Sequence, residues 1–180
     1  MGARSADEAI ATVARDHGRS LVGYAYLLTG SLRDAEDLVQ DALVKTVVRG
    51  SALDTTAVVG YVRTAILTLY IDGYRRRKRW EAVRHLVARD EHRDGPDAAA
   101  SARVDVQAAL RELPPQQRAC VVLRFYDDLT VPQIADRLGL AGGTVKRYLS
   151  LATHRMEALL GPVAPAPADD DAPLVEGHRS

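Results

Sequence analysis

The chain has 180 residues, 24 Lys+Arg balanced by 24 Asp+Glu, and 47% hydrophobic content, enough for one ordinary domain or two small ones. Its single cysteine, Cys120, excludes an intrachain disulfide and argues against a cysteine-built zinc site. With no apolar run of 18 residues and no signal-peptide core in MGARSADEAIATVARD, the expectation is a cytoplasmic protein without membrane insertion.

The neutral total conceals an uneven distribution. Residues 1–89 hold 14 basic against 10 acidic side chains, and residues 103–161 hold 8 against 6. The acidic excess falls in 90–102 and 162–180, each with a net charge of −3.

In chain order, Leu21, Tyr24, Ala25 and Leu28 share one face of a helix ending near Gly30. A second helix opens with Ser31 and Asp34 as start signals and carries Leu38, Val39, Ala42, Leu43 and Val47. A third carries Val58, Val62, Ala65, Ile66 and Leu69. The stretch RDEHRDGPDAAASA, Arg89 to Ala102, has a Gly-Pro break and no apolar period, so it reads as a flexible linker. Helices are then expected over about Val104 to Leu113 and, after Pro114-Pro115, about Gln116 to Tyr126. Beyond Gly161 the sequence is rich in proline, alanine and acid and is expected to be a disordered tail. The fold class is therefore all-α: two small helical domains, 8–89 and 103–161, joined by the linker 90–102 and followed by the tail 162–180.

The segment DLTVPQIADRLGLAGGTVKRYLSLATHR, from Asp128, reads as a helix-turn-helix. Thr130 and Gln133 form a capping-box pair, and Pro132 lies in the first turn where its missing N–H is harmless. Ile134, Ala135 and Leu138 face inward, and Gly139 suits the sharp turn. Thr144 is the expected cap of the second helix, with Val145, Leu149 and Ala152 inward and Lys146, Arg147, Ser150 and Arg155 on or near the outer side. Such a helix fits the major groove of DNA, although the same pattern alone also fits a helical hairpin in an ordinary core.

Two other surfaces carry chemistry. The third helix ends in Arg75, Arg76, Arg77, Lys78 and Arg79, with Tyr61, Tyr70, Tyr74 and Trp80 interleaved. Cations for phosphates beside aromatic faces for bases suit single-stranded or melting DNA; a solvated basic helix end is the simpler alternative. On the second helix Asp34, Asp37 and Asp41 are spaced i, i+3, i+7 and line one face, either as a solvated surface or as a dock for a basic partner. Cys120, within ACVVLRF, reads as a small core residue. Neither the five histidines nor any glycine loop or nucleophile elbow forms a metal or catalytic constellation, so no cofactor, metal or enzymatic activity is expected.

Taken together, DAEDLVQDAL (Asp34–Leu43), YVRTAILTLYID with RRRKR (Tyr61–Arg79) and ELPPQQRACVVLRFYDDLTVPQIADRLGLAGGTVKRYLS (Glu112–Ser150) resemble the extracytoplasmic-function (ECF) sigma factors of bacterial RNA polymerase. The resemblance covers about Asp16 to Leu160. It implies a subunit that binds core RNA polymerase and directs initiation at promoter DNA, with an anti-sigma factor as a further partner. By the same resemblance, Asp34, Asp37, Leu38, Gln40 and Asp41 match the core-binding motif. Tyr61, Thr68, Asp72, Arg75, Arg76 and Lys78 match the minus-10 region, and Thr144, Lys146, Arg147, Ser150 and Arg155 the minus-35 helix. Asp41 stands where the family usually has Glu, Thr68 where Asn is frequent, and Tyr61 where Trp is common. Tyr148 and Leu151 replace frequent cations, and Gly50 to Val59 is poor in aromatics. A free-standing helix-turn-helix regulator, binding duplex DNA without polymerase, is the alternative reading. It would carry a ligand-binding or receiver domain in place of the first helical block.

Overall fold

The structure, a computed structural model, describes residues 2–48, 55–84 and 102–161. Among these residues every regular element is a helix: α1 (Gly2–Thr29), α2 (Leu32–Val48), α3 (Thr55–Arg84), α4 (Ala102–Arg111), α5 (Pro115–Phe125), α6 (Val131–Leu138) and α7 (Gly142–Leu160). The linker and tail expected at 90–102 and 162–180 lie outside the described residues, apart from Ala102 at the start of α4.

Helices α1, α2 and α3 form one bundle. Leu21, Tyr24, Ala25 and Leu28 of α1 are buried against Ala35, Val39 and Ala42 of α2 and Val58, Val62, Ile66, Leu67, Tyr70 and Ile71 of α3. Each large apolar side chain buried this way contributes about 1.5–3 kcal/mol. The turn from α1 to α2 needs Gly30: its φ is +73°, and a Cβ there would meet Arg111 Cγ at 2.5 Å. Ser31 then starts α2, its Oγ accepting from the Asp34 N–H at 3.3 Å.

The second group is centred on α5. Pro114-Pro115 sets its start, with Pro115 at the first helical position, and every residue from Gln117 to Arg124 is buried. A helix buried all round needs neighbours on every side. α5 has them: α6 and α7 from its own group, and α1 and α3 from the first, while Arg118 reaches the end of α4 through Arg111 O. Cys120, fully buried there, has its thiol pushed up to about 12 by burial, which makes it an inert core residue.

Asp128, between α5 and α6, adopts φ +52°, a left-handed conformation that Asp tolerates better than most residues. α6 begins as the capping-box pattern predicts: the Thr130 N–H donates to Gln133 Oε1 at 2.9 Å, and the Thr130 hydroxyl donates to the same oxygen at 3.0 Å. Gly139, φ +62°, ends it.

One expectation needs correction. Thr144 does not cap α7: the helix starts at Gly142 with Ala141 as its N-cap, and the Thr144 N–H already donates to Ala141 O at 2.9 Å. The Gly142-Gly143 pair has no side chains to hinder an earlier start. The two helical groups are also in contact. One continuous apolar cluster runs from Val13 to Ile71 and on through Ala119, Cys120, Val122, Leu123, Ile134, Leu138 and Val145. The contact is also polar: buried Arg118 donates to Leu28 O at 2.8 Å in the first group, and to Arg111 O at 2.7 Å and Leu113 O at 3.2 Å in its own. Its guanidinium thereby meets carbonyls left without helical partners at the ends of α1 and α4.

Candidate nucleic-acid and polymerase interface

The acid face of α2 forms because its opposite face is committed to the bundle. Ala35, Val39 and Ala42 are buried, Leu38 is half-buried, and Asp34, Asp37, Gln40 and Asp41 are exposed on one side. Val44, 62% exposed, continues that side a turn beyond Asp41, whereas Leu32, 58% exposed, is the first residue of α2 and lies on the side of Val39. Sequence reading missed both: a single apolar residue at helical spacing looks like core until its partners are known. An acid surface with an apolar end is suited to a partner that brings cations beside an apolar patch.

On α3 the minus-10 candidates fall into two adjoining parts. Tyr61, 43% exposed, and exposed Thr68 are seven residues apart on one face; with Thr64 and Ala65 between them, and Lys45 and Thr46 from α2, they line a cavity of about 110 Å³. The Thr64 and Thr68 hydroxyls donate back to Gly60 O at 3.0 Å and Thr64 O at 2.8 Å, which fixes their rotamers along this wall. Further on, Asp72, Arg75, Arg76 and Lys78 are exposed and line a second groove with Tyr74, Arg79 and Gln116. Of the four aromatics expected as stacking surfaces, Trp80 is 65% exposed and Tyr61 is accessible, but Tyr70 is only 7% exposed. Tyr70 belongs to the core, where burial raises its pKa, and it cannot stack on a base. Its position in the sequence, one helical turn past Ile66, already carried that signal.

In the helix-turn-helix, Ile134, Ala135, Leu138, Val145 and Ala152 are buried, which leaves Lys146, Arg147 and Ser150 exposed along the first half of α7. Thr144 is half-buried beside them. Arg155 is exposed two turns beyond Arg147 and about 80° around the helix from it, and its Nη1 donates to Gln117 Oε1 at 3.0 Å. Tyr148 likewise faces α5, its hydroxyl donating to Gln116 Oε1 at 2.9 Å. The lack of a cation at position 148 thus has a packing reason. No group of three or more metal-ligating side chains occurs among the described residues, and no helix among them is long and apolar enough to cross a membrane.

A further cluster was not foreseen. Arg63 of α3 lies over the rings of Tyr24 and Tyr126, 5.7 and 5.5 Å from their centroids, and its Nη1 is 3.5 Å from Asp127 Oδ1. The two rings are 5.6 Å apart and tilted by 43°. The Tyr24 hydroxyl donates to the Asp127 carboxylate; burial is the main cause raising the pKa of each. Three elements distant in sequence meet here, so no local pattern could announce the cluster.

Comparison with known proteins agrees with this geometry. The family model of Sigma-70 region 2 matches residues 13–80, and that of Sigma-70 region 4 matches residues 103–156. The ECF RNA polymerase sigma factor SigL of Mycobacterium tuberculosis is 30% identical over 169 residues, covering 88% of this chain and 93% of that protein. SigE of Mycolicibacterium smegmatis is 29% identical over 152 residues, covering 81% of this chain but only 59% of the relative. Among solved structures, the sigma factor RpoE of Bartonella quintana, in complex with the anti-sigma factor NepR, aligns with a TM-score of 0.55 and 26% identity, over 79% of this chain and 90% of that one. A region 2 module fills the position where a free-standing regulator would carry a ligand-binding or receiver domain. With both modules present in the family's order and a relative matched over nearly its full length, the chain belongs to the ECF sigma factors, the promoter-directing subunits of bacterial RNA polymerase.

Proposed function

We propose that each exposed set of side chains has one role in promoter-directed initiation. Asp34, Asp37, Leu38, Gln40 and Asp41 dock α2 on core polymerase. Tyr61, Thr68, Asp72, Arg75, Arg76 and Lys78 take the minus-10 element, and Thr144, Lys146, Arg147 and Ser150, with Arg155 in a lesser role, take the minus-35 element. Residues 8–89 and 103–161 act as two units connected by 90–102. The protein works in the cytoplasm, has no catalysis of its own, and is held off polymerase by an anti-sigma partner, as RpoE of Bartonella quintana is seen with NepR.

The observation that carries this reading is segregation of charge on rigid supports. Acid is exposed on α2 above buried Val39 and Ala42, while cations are exposed on α3 and α7. Acidic residues there would repel phosphates, so α2 suits a protein partner and the other two helices suit DNA. Capture of core polymerase by the wild type and by the Asp37→Lys, Asp41→Lys double variant tests it. The reversal should abolish capture while leaving the helical circular-dichroism spectrum unchanged. Equal capture by both would remove α2 from the docking role.

A further inference from the structure

The helix assigned to the minus-35 element rests on little apolar surface. Of the 19 residues of α7, the buried ones are Val145 and Ala152, both small. Apolar contact is non-directional, so it holds α7 close to its support without fixing the rotation of the helix about its own axis. Rotation decides how Lys146, Arg147 and Ser150 meet the base edges, because hydrogen bonds are directional and a binding constellation must be held within about 10–20° of its productive geometry.

Two hydrogen bonds supply the missing direction. The Tyr148 hydroxyl donates to Gln116 Oε1 at 2.9 Å, and Arg155 Nη1 donates to Gln117 Oε1 at 3.0 Å. Tyr148 and Arg155 are seven residues apart, which brings them within about 20° of each other around the helix. They lie on the flank between exposed Arg147 and buried Ala152. Their acceptors are neighbours in the first turn of α5, whose start is set by Pro114-Pro115. Gln117 is itself buried, so its amide is held by the surrounding packing. The Arg155 side chain also lines a groove with Ala108, Ala109 and Glu112 beside α4, on the opposite flank of α7 from Lys146.

We propose that Gln116-Gln117 is a two-point brace that sets the rotation of α7 for minus-35 recognition, which makes Tyr148 and Arg155 positioning residues and changes the lesser role of Arg155 from contact to support. Both bonds lie within the group α4 to α7, so the brace travels with the helix-turn-helix. A tyrosine at position 148 then has a use that a cation there would not have: its hydroxyl reaches α5 while its ring packs against the core. The inference deepens the assignment of α7 to the minus-35 element and rests on it.

The test uses the full chain bound to core polymerase, with promoter duplexes whose minus-35 element is intact or scrambled, and affinities measured over a range of salt. A cation that neutralises a phosphate adds about 0.9 to the slope of log affinity against log salt, whereas a positioning residue leaves that slope alone. Arg155→Met and Gln117→Ala should each lower the preference for the intact element about fivefold, the effect of one hydrogen bond, with the slope unchanged. The double variant should lose no more than either single one, because both remove the same bond. Gln117→Glu keeps an acceptor for Arg155 and should retain the preference. Tyr148→Phe removes a hydroxyl and keeps the ring, which guards against misfolding of Gln117→Ala, and it should show a similar loss. A slope shallower by about 0.9 in Arg155→Met overturns the brace, as does wild-type preference in both Arg155→Met and Tyr148→Phe. Failure of the α7 assignment is read separately, as an unchanged preference for the intact element in Arg147→Ala, a residue outside the brace.

Discussion

The two helices assigned to DNA, α3 and α7, differ in how their faces are used. α7 packs on one side: Val145 and Ala152 are buried, and Lys146, Arg147 and Ser150 point to solvent. α3 packs against α1 and α2 and also against α5 and α6. Its buried residues, Val58, Val62, Ile66, Leu67, Tyr70 and Ile71, spread over more than one stripe, and Arg63 is drawn into contact with two tyrosines. A helix with one set of neighbours writes a clean amphipathic pattern, whereas one between two sets does not.

That contrast can be broken first at the aromatics of α3. Tyr70→Ala should destabilise the fold by about 3–5 kcal/mol, as expected for truncating a large buried aromatic. Trp80→Ala, at a 65% exposed position, should stay within about 0.5 kcal/mol of wild type while weakening single-stranded DNA binding. Denaturant titration and DNA binding separate the two effects. Similar stability losses in both variants would mean that α3 does not divide into core and DNA-facing aromatics. Smaller effects are expected at the helix starts. Thr130→Ala removes a residue hydrogen-bonded to Gln133 and should cost about 0.5–2 kcal/mol. Thr144→Ala should cost less, because Thr144 lies inside α7 and not at its N-cap position. Equal losses in denaturant midpoint would return Thr144 to a capping role.

Local chemistry made much of the fold legible. The Thr130–Gln133 pair, Pro132, the Gly139 turn and the inward stripe from Ile134 to Ala152 can all be read within a few residues, and they occur as expected. The stripes of α1 and α2 were legible for the same reason; in α3 the stripe through Val58, Val62 and Ile66 was legible, but the burial of Leu67 and Ile71 was not. The start of α7 was displaced by two glycines whose neutrality hides the boundary. Arg155 was grouped with Arg147 by charge, but its bond to Gln117 depends on how α5 lies beneath α7. The Arg63 cluster and the Arg118 clamp join α1, α3 and α5 across long sequence separations. Such contacts are set by tertiary packing, and periodicity carries no record of them.

Run-off transcription with core polymerase on a promoter library, comparing wild type with Arg147→Ala, tests the account most directly. The wild type should initiate from a restricted set of promoters. Arg147→Ala should still bind core but lose roughly 1–3 kcal/mol of discrimination at one minus-35 position. Initiation that is independent of promoter sequence, or loss of core binding in Arg147→Ala, would contradict the division of labour among α2, α3 and α7.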